Sequence, residues 1–328
     1  MEALNQPASR LASGTPLTLI LTGPTAVGKS RLAIELAVRV DGEVISADSM
    51  QVYRGMDIGT AKPSPKERAT VPHHGLDLCA PDKAFHVGSF LTETRQALAA
   101  VRARHKQPIV CGGTGFYLRA LCEDFNPVAL PPDPALREKL SAWVKDHPGE
   151  AREKLKQVDP ESHRRIAPND LYRLVRALEV HTQSGKTLSQ LASKKTMAES
   201  PFVVLCLQAE KSFLQALIEK RTDQMLTDGL IEEVRTLLAK GHAPQLAPLQ
   251  SIGYKETIRF LKGDFDATQL RGQIVLHTRQ LAKRQYTWFR KFARDWPNDR
   301  FYWLDTNGGI DADKILQIPG LRERLHYS

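Results

Sequence analysis

Gly23-Pro24-Thr25-Ala26-Val27-Gly28-Lys29-Ser30 matches the pattern G-x-x-x-x-G-K-[ST] in full. The pattern cradles phosphate for a direct reason. Glycines let backbone N–H groups turn inward around anionic oxygens, and the helix that follows adds the partial positive charge of its N-terminus. Lys29 supplies a full charge, and the Ser30 hydroxyl is placed for Mg²⁺. The residues point to a di- or triphosphate without saying which; the bland alternative is a tight strand-to-helix turn. A second candidate is Asp48, in Ser46-Ala47-Asp48-Ser49. An ordinary ATPase wants an acid at the end of another core strand. The run Pro108–Cys111 ends instead in Gly112-Gly113-Thr114, with no carboxylate. Asp48 is expected to face the same crevice as Lys29, because ligands of open parallel sheets bind outside the strands' carboxyl ends. Its competing reading is a helix cap.

These residues need a scaffold, and the chain spells one out. Short apolar runs at 17–22, 43–46, 108–111, 202–207 and 301–304 alternate with helical patterns at 30–40 and 87–105. Strand–helix alternation predicts an α/β fold, a parallel sheet flanked by helices, with the phosphate loop between its first strand and first helix. The alternation stops over 133–195, a stretch without a convincing strand that carries thirteen Lys/Arg against nine Asp/Glu, a balance of +4. It is expected to be a helical insertion domain, dividing a catalytic core into 17–132 and 196–328, with 1–16 a loose leader. From Ser212 onward apolar residues recur at helical spacing.

The chain has 328 residues, 41% of them hydrophobic and 25% charged. That excludes collagen-like, low-complexity and wholly disordered classes. Lys and Arg exceed Asp and Glu by 46 to 37, a net charge of +9 that suits a polyanionic partner and also mere solubility. The four cysteines form no C-x-x-C pair, so neither a zinc ribbon nor a disulfide framework is indicated. The polar N-terminus lacks an apolar signal, and no run is long enough to cross a bilayer, so a cytoplasmic protein without a membrane partner is expected. Thr278–Arg290 reads as helix. Arg279, Lys283, Arg290 and Arg294 fall within about 60° on it, and Arg284 and Lys291 form a second stripe beside them. Rows of like charge ask for an anion, such as phosphate. Trp288 and Phe289 are expected in the core.

Several blocks, in order, resemble the tRNA dimethylallyltransferases of bacterial type. They are the phosphate loop, Ser46–Tyr53, Gly55–Lys62, Gly112–Tyr117, Pro168–Arg173, Arg176–Glu179, Ser251–Tyr254 and Thr278–Gln285. The resemblance implies a P-loop NTPase-like core whose loop, Gly23 to Ser30, holds dimethylallyl diphosphate rather than spending ATP. The dimethylallyl group would go to N6 of adenosine 37 in tRNAs reading codons that begin with U, releasing diphosphate. Asp48 resembles the residue that accepts the adenine amino proton, and Thr25 the hydroxyl on the bridging oxygen; Mg²⁺ would sit at Ser30. Asp48, Ser49, Met50, Gln51, Thr114, Arg137, Tyr172, Arg173, Leu174, Val175, Arg176, Gln250, Ser251, Ile252, Gly253, Tyr254 and Lys255 match segments that contact tRNA. Arg279, Lys283 and Arg284 would hold phosphates of diphosphate or backbone. Position 250 is Gln where some relatives carry Arg. One catalytic set per chain fits a monomer. Two other readings stay open: an ATP-dependent small-molecule kinase, and an RNA-binding protein that keeps the loop as a turn.

Overall fold

The computed structural model of the chain describes residues 17–123, 133–191, 197, 200–322 and 325. The leader 1–16 and Pro131-Pro132 lie outside them. Two compact units part between Cys122 and Glu123, and again between Thr196 and Met197.

The first unit is built on β1 (Thr18–Thr22), β2 (Gly42–Ser46), β3 (His73–His74), β4 (Gln107–Cys111), β5 (Phe202–Gln208) and β6 (Phe301–Asp305). All pair in parallel, in the order β3-β2-β4-β1-β5-β6. Every residue of β1, β2 and β4 is buried. Continuous apolar runs are what a parallel strand covered on both faces requires. Ile20 of β1 lies beside Val110 on one side and Val204 on the other, so the loop after β1 opens at the middle of the sheet's carboxyl edge. The short β3 was not anticipated from sequence, because two histidines carry neither an apolar run nor an alternation.

The helices of this unit before the insertion are α1 (Lys29–Arg39), α2 (Pro65–Thr70), α3 (Val87–Ala103) and α4 (Gly115–Cys122). The second unit holds α5 (Pro134–Asp146), α6 (Pro148–Val158), α7 (Pro160–Arg165), α8 (Leu171–Ser184) and α9 (Leu188–Leu191). The first unit resumes with α10 (Lys211–Thr227), α11 (Leu230–Ala239), α12 (Tyr254–Leu261), α13 (Ala267–Ala293) and α14 (Ala312–Leu316). One core joins the sheet to α1, through Leu19, Leu32, Leu36, Val203 and Leu205. A second joins α11, α12 and α13 to the segment after β2, through Met56, Val234, Leu237, Tyr254, Leu270 and Ile274.

The second unit is helical throughout its described regular structure. α5, α6 and α7 each begin on a proline, whose missing N–H would be unbonded there anyway. Val144, Leu155, Leu174 and Leu178 form its own core. Leu174 and Val175 are buried there, so as tRNA contacts their side chains are corrected to packing residues; the helical repeat of α8 turns them inward while Tyr172 stays 73% exposed. Glu179, fully buried, accepts hydrogen bonds from Arg137 (2.6 Å), Arg176 (2.8 Å) and the Asp133 N–H (3.0 Å). Burial pushes its carboxyl up, but the bonds from Arg176 and Arg137 prevail and hold it below the ordinary glutamate value.

Candidate active site

The loop after β1 takes the backbone shape that its glycines permit. Gly23 has φ 137°, and a Cβ there would stand 2.6 Å from the Leu207 carbonyl, so no other residue lets β1 and β5 close so tightly above it. Gly28 has φ 95° and leads into α1. Lys29 Nζ bends back to donate to the carbonyls of Gly23 (3.0 Å) and Pro24 (2.7 Å). Burial brings its ammonium down to about 8; the Arg221 charge pushes the same way, and Asp48 opposes it. Ser30 is exposed at the start of α1.

Asp48 sits just past β2. Ala47 N–H bonds the Cys111 carbonyl at 2.8 Å, and Thr114 N–H returns to the Ala47 carbonyl at 3.3 Å. Thr114 Oγ1 accepts the Ser49 N–H at 3.0 Å. A Cβ on Gly112 would fall 2.2 Å from the Ala47 carbonyl oxygen, so only glycine lets the two strand ends meet. Asp48 Oδ1 accepts the Met50 N–H at 2.8 Å. The helix-cap reading does not hold, since the next described helix starts only at Pro65: one oxygen closes a turn, and the residue lines the cavity.

That cavity, about 580 Å³, is lined on its polar side by Thr25, Asp48, Ser49, Gly113, Thr114 and Arg221. Its other side is apolar: Met50, Ile218, Met225, Ile274, Leu281, Trp288 and Phe289. Of the residues singled out in sequence, it also brings in Gln250, Ser251, Ile252, Gly253, Lys255 and Arg284. Four first-unit residues matched to tRNA or phosphate contacts, Tyr254, Gln51, Arg279 and Lys283, stand off this cavity. Tyr254 is fully buried and donates to Glu233 Oε1 at 2.6 Å, so its ring supports the wall rather than meeting a ligand. Gln51 donates to the carbonyls of Thr60 and Ala61, clamping the 57–61 loop. Arg279 and Lys283 are exposed and point about 180° from Thr278, Leu281, Gln285 and Trp288, the cavity face of α13. They therefore share no anion with Lys29. Trp288, expected in the core, lines the cavity across Gly115; a Cβ there would meet its ring at 2.4 Å.

Two polar residues were missed. Gln285 accepts the Thr25 N–H (2.8 Å) and donates to the Gly113 carbonyl (3.0 Å), tying the phosphate loop to the end of β4. Arg221 of α10 donates to Thr25 Oγ1 at 3.3 Å. Burial lowers its pKa, with Asp48 opposing. No local pattern marks Arg221; only the packing of α10 on α13 brings it to the loop. The pocket thus brings the cations Arg221, Lys255 and Arg284 and the carboxylate of Asp48 together with apolar side chains, next to the loop that carries Lys29. It suits an anion carrying a short apolar group, with a base at hand. Among the described residues no group of three or more His, Cys, Asp or Glu could hold a metal ion.

Known proteins match along nearly the whole chain. The family model for IPP transferase covers residues 51–292, and that for isopentenyl transferase covers 17–76. The tRNA dimethylallyltransferase 1 of Trichlorobacter lovleyi is 44% identical, over 84% of this chain and 91% of its own. That of Syntrophobacter fumaroxidans is 40% identical over 93% and 89%. The crystal structure of the full-length tRNA isopentenylpyrophosphate transferase from Bacillus halodurans superposes with a TM-score of 0.68 at 34% identity, covering 94% of this chain and 97% of that one. A eukaryotic dimethylallyltransferase acting on tRNA gives 0.74 at 27% identity, over 93% and 77%. Matches of this extent make the chain a prenyltransferase that belongs to the IPP transferase family.

Proposed function

We propose that the protein transfers a dimethylallyl group from dimethylallyl diphosphate to N6 of adenosine 37 in tRNAs reading codons that begin with U. The observation that carries this reading is that Asp48 and the loop residue Thr25 line one cavity together with the apolar side chains of Met50, Ile218, Met225, Ile274 and Leu281, which suit a small isoprenoid. The adenine amine is a poor nucleophile, since its lone pair is delocalised into the ring. As N6 bonds to the allylic carbon, the carbon–oxygen bond to diphosphate breaks and the N6 proton passes to Asp48. The oxygen of Asp48 not engaged with Met50 accepts no other hydrogen bond among the described residues, leaving it for that proton. The loop N–H groups from Ala26 to Ser30, with Lys29 and Arg221, would stabilise charge on the departing diphosphate cradled between Gly23 and Ser30, and the Thr25 hydroxyl the bridging oxygen. Mg²⁺, when bound, would neutralise diphosphate charge, with the Ser30 hydroxyl as a ligand; such an ion arrives with its diphosphate and keeps its waters. Thr114, Ser49, Gln250, Ser251 and Lys255 would meet the target nucleotide, which must leave its stack to enter. Arg137, Tyr172, Arg173 and Arg176 of the second unit would contact the tRNA.

The test is incubation of purified protein with unmodified tRNA, labelled dimethylallyl diphosphate and Mg²⁺, followed by mass spectrometry of the digested tRNA. Label on N6 of the adenosine at position 37 is expected. Phosphate release from ATP without tRNA, or tight tRNA binding with no modification, would overturn the reading.

A further inference from the structure

Thr25 is held from several sides. Lys29 fixes the two carbonyls before it, those of Gly23 and Pro24. Arg221 donates to its hydroxyl at 3.3 Å. Its own N–H goes to the side-chain oxygen of Gln285, on α13, at 2.8 Å. The next residue, Ala26, has φ 67°, a left-handed conformation that a residue with a Cβ keeps only where its surroundings impose it. The turn that carries the Thr25 hydroxyl is therefore not self-supporting; contacts from other elements hold it.

The other end of the same amide reaches the wall that carries Asp48. Gln285 Nε2 donates to the Gly113 carbonyl at 3.0 Å. Gly113 lies between Cys111, whose carbonyl takes the Ala47 N–H, and Thr114, whose Oγ1 takes the Ser49 N–H. Ala47 and Ser49 are the neighbours of Asp48 on either side. One amide thus links the hydroxyl assigned to the bridging oxygen with the carboxylate assigned to the adenine proton. The two bonds need an acceptor and a donor on one flat group, which an amide supplies and a carboxylate, an ammonium or an apolar side chain does not. Gly113 must lack a side chain for the amide to reach it, since a Cβ there would stand 2.7 Å from Gln285 Nε2.

We infer that Gln285 is a positioning residue for the transfer. It fixes Thr25, and with it the carbon–oxygen bond that breaks, at the separation from Asp48 at which the amine attacks. It acts through Thr25, because its side-chain oxygen is engaged by a loop N–H and not by a ligand. This rests on the reading above, in which Thr25 and Asp48 both serve the reaction.

The test is single-turnover prenylation of unmodified tRNA, at saturating dimethylallyl diphosphate, by Gln285→Met, which keeps the length of the side chain and removes both bonds. A misplacement of about 1 Å costs on the order of 10²-fold, so a step slower by about 10- to 100-fold is expected. Donor KM, tRNA affinity and melting temperature should stay as in wild type. In a Thr25→Ala background no hydroxyl is left to place, so Gln285→Met should cost little more there; effects that run through one another do not multiply. Gly113→Ala displaces the amide from its other side and should slow the same step, and it carries the test if Gln285→Met does not fold. A near-normal rate in the folded variant would overturn the assignment. So would a loss that multiplies in the Thr25→Ala background. A raised donor KM at unchanged rate would overturn it too, and would make Gln285 a donor contact. Wild-type protein that attaches the group at another position of the tRNA, with the same dependence on Gln285, would overturn the functional reading and leave the positioning role standing.

Discussion

Asp48 has two oxygens with separate duties, and substitution can divide them. Asn at position 48 can still accept the Met50 N–H through its amide oxygen, but it cannot take a proton from N6. Asp48→Asn is therefore expected to fold normally and bind tRNA while losing turnover by about 10²–10⁴-fold, the range of a lost general base. Single-turnover kinetics with saturating donor measure this; near-normal turnover would reduce Asp48 to a turn cap. Lys29 offers a pH signature. Its folded value, brought down to about 8, means that the free site keeps its ammonium below that pH and loses it above. Donor affinity should hold from pH 6 to 7.5, then fall as pH rises through 8, by up to about tenfold per unit. Lys29→Ala should bind the donor weakly at every pH, with that inflection gone. A donor-binding profile identical to wild type would remove the ammonium from the diphosphate site.

At the scale of elements, the site is a meeting of loops, and each wall is pinned by a particular side chain. Glu233 of α11 accepts the N–H groups of Asp57 (2.9 Å), Ile58 (2.7 Å) and Gly59 (3.2 Å), and also the Tyr254 hydroxyl. Lys62, its ammonium buried, closes the same loop through Asp57, Asp77 and the Tyr53 carbonyl. Glu233→Ala leaves three N–H groups and a buried phenol without their acceptor, and is expected to destabilise the first unit by about 2–4 kcal/mol. Thermal melting reads the loss, and hydrogen exchange should show it centred on 57–60. Such a pin is illegible in sequence: nothing local links Glu233 to residues 57–59, and the tie exists only because α11 packs beside that loop. The parallel strands were legible because burial on both faces forces continuous apolar runs, and the phosphate loop because its glycines answer backbone demands within eight residues. Asp48 was legible through its place after β2. Arg221, Gln285 and the apolar chamber were not, since helical periodicity marks a face as buried without saying whether it meets core or cavity. Trp288 and Phe289 show this ambiguity directly.

At the scale of the whole chain, two separate cores imply two separate stabilities. The second unit folds around Val144, Leu155, Leu174 and Leu178, with the carboxylate of Glu179 beneath them gathering Arg137, Arg176 and the Asp133 N–H. Its depressed pKa fixes the sign of the pH effect. The stabilisation is fully present above the unfolded glutamate value and disappears as pH falls through the lower folded value, where the arginines lose their acceptor. Glu179→Ala should reproduce at neutral pH what acid does to wild type, because the carboxylate that accepts from Arg137, Arg176 and the Asp133 N–H is gone; about 3–5 kcal/mol is the scale for such a broken buried pair. Hydrogen exchange distinguishes a local from a global collapse. Amides of α5, α6 and α8 are expected to lose protection in the variant, while those of β1, β4 and β5, fixed in the parallel ladder by a core of their own, keep it. Loss of protection in the strands to the same degree would mean that the two cores fold as one cooperative body, and that the charge network under α8 supports the sheet as well as the insertion.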